Sequence, residues 1–503
     1  MNLSTLRIRL LVGTLFVVAF LGALDHTVVA TSLATIAGEL GALEQMGWVI
    51  VAYTLSSTVL IPLIGRLGDL WGSRRVFLTS LVLFLLGSLV CGFAGDMTSL
   101  IGARVIQGAG AAGIQLMSQT LVAHIVAPRK RARYMSIIGA AFPVAIVVGP
   151  VLGGIITDTL GWPWVFWINL PLGGAAFVFA LFALPAAPRS AERQRVDLPG
   201  AVTFGVGMVA LVLAVTWLGN GATTIGGVTT VVALVAFALF FVVEHGASHP
   251  LIPLGLFRNR RMAVSTGLSA IIGFGLFAIT AYLPTFFQMA YRVSATVSGL
   301  VPIATVFGML VTSLLSGWLV GRTGRYRRYA IVGPLISAVG LIVMSMLPTG
   351  LPLAVPMLVM WVVGGGTGLF MSLVVAVAQS SVPSSEVGAA TAVVNLVRQV
   401  GSTVSTAVVG GVIGAGVAER LSSPVATLTP REVAAAPDGV QAAVAGAYSA
   451  VMNPVFAWIA AIYVLGFLIA LLLPRGPIDE PHGEQRSAAG PSPDPFPLPE
   501  EAR

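Results

Sequence analysis

Fourteen apolar runs of about 20 residues follow one another along the chain, and their recurrence constrains the fold more than any other feature. A run of that length crosses a hydrocarbon core of about 30 Å as a helix. Lipid offers no partners to the backbone, so only helices and closed barrels span it. The runs lie near 10–36, 46–67, 76–95, 99–123, 135–157, 164–184, 199–219, 225–244, 262–287, 296–320, 329–347, 352–378, 389–415 and 447–473. Most connections are short, so sequential helices are antiparallel neighbours. The expected class is an all-α membrane protein with 14 transmembrane helices. Of 503 residues, 56% are hydrophobic and 9% charged, against about 25% charged in soluble domains. No phosphate loop, HExxH or CxxC metal pattern, or G-x-S-x-G elbow is present, so the chain does not read as an enzyme.

The net charge of +8 does not mark a nucleic-acid binder, because the basic residues fall in short loops. With the N-terminus inside, the inner loops and tails hold 22 of the 27 Lys and Arg residues, including Arg66, Arg74, Arg75 and the PRKRAR cluster (Arg129, Lys130, Arg131, Arg133). Outer loops hold Arg292, Arg420 and Arg431, while Arg104 and Arg398 fall within spans. That asymmetry predicts both termini on the cytoplasmic side. Residues 1–23 have the outline of a signal peptide, but the apolar run continues to Ile36, so the segment is read as the first span. Cys91 is the one cysteine; it can form no intrachain disulfide and is assigned no chemistry.

Asp25, in LGALDHTVVATSL, is the one acidic residue near the middle of an apolar run. A charge at the bilayer centre costs roughly 2.5 kcal/mol or more and marks ion or substrate movement. The expectation is a proton-driven transporter with Asp25 as proton carrier; the bland alternative is an Asp hydrogen-bonded to fix packing. His26 beside it suits an interhelical hydrogen bond or a cavity lining. Arg104 lies a turn into the fourth run and shares a helical face with Gly108, Ala111, Gln115 and Ser118. It reads as a cation that tunes Asp25 beside a polar cavity, or as a snorkelling arginine. In the thirteenth run Asn395, Arg398, Gln399, Ser402 and Thr406 form a stripe suited to a cavity wall or a partner helix. Tyr53, Gln115 and Gln119 are further cavity candidates.

A loop recurs. GRLGDLWGSRR (Gly65 to Arg75) follows the second run and GWLVGRTGRYR (Gly317 to Arg327) the tenth. Aligned, Gly65 meets Gly317, Gly72 meets Gly324 and Arg75 meets Arg327, while Asp69 meets Gly321. Two six-helix halves explain this spacing, with an inserted pair between them. The expected divisions are 1–184 and 262–473 for the bundles, 185–261 for the inserted pair and its linkers, and 474–503 for a disordered cytoplasmic tail. Repeats of this kind place a transporter's site between the halves. Gly72 permits the positive φ of a tight turn. Asp69, with an arginine or at a helix N-terminus, can latch the halves, while Arg74 and Arg75 set orientation. In the fifth run Gly149 and Gly153 form a small face for close helix approach, and Pro150 bends the helix. Residues 416–446 read as the longest outer loop, partly helical, and 245–261 as a surface segment.

Five motifs in order resemble the fourteen-helix drug:proton antiporters of the major facilitator superfamily over residues 10–473. They are LDHTVV with Asp25; GRLGDLWGSRR with Gly65, Asp69, Gly72, Arg74 and Arg75; RVIQGAG with Arg104, Gln107, Gly108 and Gly110; GPVLGG with Gly149, Pro150, Gly153 and Gly154; and WPWVFWINLPLG (Trp162 to Gly173). The resemblance implies the major facilitator fold, two six-helix bundles plus a central helix pair. It further implies a proton-coupled antiporter exporting lipophilic, cationic drugs across a bacterial inner membrane, with GPVLGG as the antiporter motif. No cofactor beyond the coupling proton, no nucleic acid and a monomer in membrane lipid are expected. An exporter of an endogenous lipid or amphipathic metabolite would use the same fold, and a non-transporting membrane sensor is the alternative of another class.

Overall fold

The computed structural model describes residues 5–40, 45–184, 197–219, 222–247, 250–421, 425 and 430–476. The expected tail, 477–503 of it, and the linker 185–196 lie outside the described residues. Among the described residues eighteen α-helices run in order: α1 Thr5–Glu39, α2 Met46–Trp71, α3 Ser73–Gly92, α4 Met97–Ile125, α5 Pro128–Gly139, α6 Ala141–Leu160, α7 Pro163–Trp167, α8 Asn169–Ala183, α9 Leu198–Gly219, α10 Thr223–Gly246, α11 Arg260–Ala290, α12 Ala295–Ser298, α13 Leu300–Thr323, α14 Arg327–Met346, α15 Ala354–Ser380, α16 Val387–Arg420, α17 Pro430–Ala435 and α18 Asp438–Leu471.

Among the described residues, thirteen helical stretches are long and apolar enough to cross a membrane. Two are jointed: α5 with α6, and α7 with α8. The expected span 99–123 is α4, which is not among the thirteen. Its glycines, amides and hydroxyls lower its hydropathy, and its burial between α2 and α3 spares it much contact with lipid. The long outer loop expected over 416–446 is shorter than its sequence suggested. α16 runs to Arg420 and α18 begins at Asp438, with α17 between them. At 245–261, Glu244 accepts from the Ile252 N–H, and a short 3-10 helix, Leu254–Arg258, leads into α11.

The fold is two six-helix bundles with an added pair. In the first bundle α1 packs on α6, α4 and α8, and α4 packs on α2 and α3. In the second, α11 packs on α16 and α18, while α15 packs on α13 and α14. α9 and α10 pair with each other, and α9 touches α2 and α16, one helix from each bundle. The bundles meet along α2 with α16 and along α5 with α13, so each copy of the recurring loop ends a helix that crosses to the opposite half.

Candidate functional site

Asp25 lies on α1 among six helices of the first bundle and is 1% exposed. Arg104 of α4 donates from Nη1 to Asp25 Oδ2 at 2.6 Å, with both side chains fully buried. The second carboxylate oxygen, Oδ1, accepts from Gln107 Nε2 at 2.7 Å and Asn169 Nδ2 at 2.9 Å. Both amides also donate to Ser88 Oγ, at 3.0 and 2.9 Å, and that hydroxyl donates to the Phe166 carbonyl at 2.9 Å. Arg104 donates to Gln107 Oε1 at 2.7 Å and to the Val49 carbonyl at 3.3 Å. The guanidinium lies over the Tyr53 ring, 4.1 Å from its centre.

Local sequence explains the convergence. Arg104 and Gln107 are one helical turn apart and share a face. A Cβ on Gly87 would lie 2.6 Å from the Gln107 backbone, so α3 can come close enough for Ser88 to reach both amides. Asn169 opens α8 just after the α7 turn, which aims its side chain inward. A buried ion pair this well hydrogen-bonded repays much of its desolvation, and losing one partner costs about 3–5 kcal/mol. Two atoms nevertheless have no hydrogen-bond partner, Arg104 Nη2 and Asn169 Oδ1.

The face expected to line one cavity is divided. Arg104, Gly108, Ala111 and Ser118 are buried, whereas Gln115 is exposed. Arg104 neither snorkels nor borders open space, because α2 covers it. Tyr53 is 6% exposed and forms this cover, its hydroxyl donating to the Gly22 carbonyl at 3.1 Å. His26 is half-buried, and its ring lies 6.2 Å from that of Tyr53. Cys91, left without a role above, points its thiol at Gln107 Oε1 at 3.5 Å.

A second polar cluster joins the halves. Asn395 of α16 donates to Gln119 Oε1 of α4 at 2.8 Å, and Arg398 donates to Asn395 Oδ1. Gln379 of α15 donates to the Gln119 carbonyl at 3.2 Å and to Thr391 Oγ1 at 3.0 Å. Gln399, Ser402 and Thr406 are half-buried further along α16. Arg398 belongs to neither ion pair found among the described residues, Arg104–Asp25 and Arg420–Glu419.

The third site lies at the arginine-rich end. Asp69 accepts from the backbone N–H groups of Gly388 and Ala389 at 2.9 Å each, where α16 begins. These are orphan donors of the first turn, beside the positive end of the helix dipole. A Cβ on Gly65 would lie 2.5 Å from Ala392 Cβ, so a bare Cα is needed at this crossing. Gly72 has φ of 90° and turns the chain from α2 into α3. Arg74 donates to the Leu181 carbonyl, while Arg75 is exposed. The second loop copy repeats the packing without the acid. Gly317 meets Ser136 and the Ala132 carbonyl of α5, and a Cβ on Gly321 would lie 3.2 Å from Arg133 Cβ. On α6, Gly149 faces Thr27 and Gly153 faces Thr31 and Val28 of α1; Gly154 faces open space and Pro150 is exposed.

Sequence reasoning did not place Gln107, Asn169, Ser88, Gln379 or Thr391 at sites. The first two stand inside quoted motifs, and Asn169 is the one amide of its run; that was the available signal. Ser88 carries none, since serine is common in apolar helices.

The family model described as Major Facilitator Superfamily matches residues 15–406. An MFS-type transporter of Mycobacterium tuberculosis (strain ATCC 25618 / H37Rv) is 34% identical over 495 residues, 96% of this chain and 72% of the relative. The multidrug transporter protein MdtP of Bacillus subtilis (strain 168) is 33% identical over 410 residues, 81% of this chain and 75% of the relative. Among solved structures, the human organic anion transporter MFSD10 (TETRAN) superposes with a TM-score of 0.62 at 16% identity, over 92% of this chain and 99% of that one. The proton:xylose symporter XylE gives 0.62 at 14% identity, over 95% and 98%; both likenesses speak for the fold alone. With two crossing bundles, an ion pair sealed inside one of them and a family match across most of the chain, the protein belongs to the Major Facilitator Superfamily and is a multi-pass membrane transporter, not an enzyme.

Proposed function

We propose that the chain is a proton-coupled antiporter that exports lipophilic compounds by alternating access, from a cytoplasmic side that carries both termini. The observation that carries this reading is the Asp25–Arg104 pair, a carboxylate and a guanidinium with no exposed surface in the span region. Asp25 can accept a proton only by loosening its hold on Arg104, which then keeps the Gln107, Val49 and Tyr53 contacts. A change of charge in one bundle thus becomes a change in how α1, α2 and α4 pack. Proton exchange requires the Tyr53 cover to move, because the carboxylate is closed off in this state. The Asp69 contact with the start of α16 holds the arginine-rich end shut and breaks on inward opening.

The energetics suffice. One proton crossing about 100 mV releases about 2.3 kcal/mol, and one pH unit adds about 1.36 kcal/mol. Together they sustain a gradient of roughly several hundredfold for a neutral compound. The names of relatives, such as the Bacillus subtilis multidrug transporter, support drug-like cargo. The proposed test uses proteoliposomes with an imposed pH gradient. Wild type should move a lipophilic dye until a protonophore collapses the gradient, and Asp25→Asn should not. Gradient-driven transport by that variant at near wild-type rate would remove Asp25 as carrier.

A second reading, export of an endogenous amphipath, is favoured by Arg398. The charge between the halves is positive and unpaired among the described residues, whereas the acid lies behind Tyr53. A cargo with an acidic or acceptor headgroup suits that wall better than a lipophilic cation does. Screening anionic lipids beside cationic dyes in the same vesicles separates the two, and preference for cations in wild type and Arg398→Gln alike would discard this reading.

A further inference from the structure

Below the crossing of α5 and α13 lies a cavity of about 530 Å³, bordered by α1, α5 and α13. Four cations line it, Arg9, Lys130, Arg133 and Arg322, together with Tyr134 and Trp318, and no lining residue is acidic. None of the four has an ion-pair partner among the described residues. Arg322 is held in place, its guanidinium 4.1 Å from the centre of the Trp318 ring. Four uncompensated charges around one space repel one another, and an anion relieves that repulsion.

The recurring loop explains why the space is purely cationic. Asp69 in the first copy aligns with Gly321 in the second, and Gly321 lines this cavity. The missing carboxylate removes both a negative charge and a side chain from the wall. Leu10 of α1 stands one helical turn before Gly13, and Leu314, Leu315 and Val311 of α13 stand one to two turns before Trp318, so these exposed apolar residues share helical faces with the cavity lining. A charged mouth joined to an apolar flank matches a lipid, with phosphate at the mouth and acyl chains along the helices.

We propose that this cavity binds the headgroup of an anionic phospholipid from the leaflet on the arginine-rich side, bridging α1 and α5 of one bundle to α13 of the other. The test is native mass spectrometry of the full chain in detergent with added phosphatidylglycerol or phosphatidylcholine. Phosphatidylglycerol should be retained selectively, and the Arg133→Gln/Arg322→Gln double variant should weaken it about 30-fold. The control pair Arg325→Gln/Arg328→Gln, which removes equal charge from the neighbouring turn, should leave it unchanged. Gly321→Asp, restoring the acid of the first copy, should weaken retention as well. Inorganic phosphate at millimolar concentration should not displace the lipid; if it does, the site is one for free phosphate and the lipid reading fails. Equal retention of both lipids, or equal loss in the control pair, overturns the proposal.

Discussion

Replacing Asp69 by Asn tests the contact that joins the bundles at the arginine-rich end. The carboxylate accepts two backbone N–H bonds, at 2.9 Å each, from Gly388 and Ala389. An amide has one acceptor oxygen, and its NH2 group faces a donor instead of accepting from it. One charge-assisted bond is lost, worth about 1.5–3 kcal/mol, together with an anion at a helix N-terminus worth about 0.3–1 kcal/mol. The loss is about 2–4 kcal/mol from the state in which this end is shut, or roughly 30- to 700-fold in the equilibrium. A starting preference of about 99:1 would fall to between about 3:1 and 1:7. Spin labels at Ala127→Cys and Arg328→Cys, both exposed and on opposite bundles, report the change as a longer distance population by double electron–electron resonance. Cys91 is fully buried and stays unlabelled. Asp69→Glu keeps the charge and should shift the population less. A distance distribution for Asp69→Asn identical to wild type would refute the latch.

Three further outcomes are expected. Asp25→Asn should lower the melting temperature, because it leaves Arg104 buried without its anion at a cost of about 3–5 kcal/mol; Asp25→Asn/Arg104→Met should recover much of that stability by thermal unfolding in detergent, but not gradient-driven transport. Recovery of transport as well would mean the pair serves packing only. Arg104→Ala should displace the pH profile of transport relative to wild type, and a superimposable profile would show that the guanidinium has no part in proton exchange. Gly149→Val should drive two methyls into Thr27 of α1 and destabilise the protein by about 1–3 kcal/mol, seen as lower thermal stability, whereas Gly154→Val, facing open space, should leave it unchanged.

The sequence by itself determined the helical class, where the long helices lie, and the residues that cost most in a membrane. The reason is that lipid penalises charge and unsatisfied backbone so heavily that Asp25, Arg104, Arg398 and the apolar runs stand out without any alignment. The run 99–123 was counted in the chain and is α4, although its mean hydropathy alone does not mark it: a helix enclosed by its own bundle is free to carry glycines and amides. The meeting of Arg104 with Asp25 was expected from the chain; only the tertiary structure decided which other groups join them. Neutral partners such as Ser88, Gln107 and Asn169 cost little in an apolar run and leave little trace, yet Asn169 reaches Asp25 from 144 residues away. The partner of Asp69 was still less visible, since it is a pair of backbone N–H groups that every residue but proline possesses. Their availability depends on where α16 begins and on glycines that let α2 lie against it. The cationic cavity has the same character: Arg9, Lys130, Arg133 and Arg322 read as topology signals in the chain, and become a site only where three helices from two bundles enclose one space.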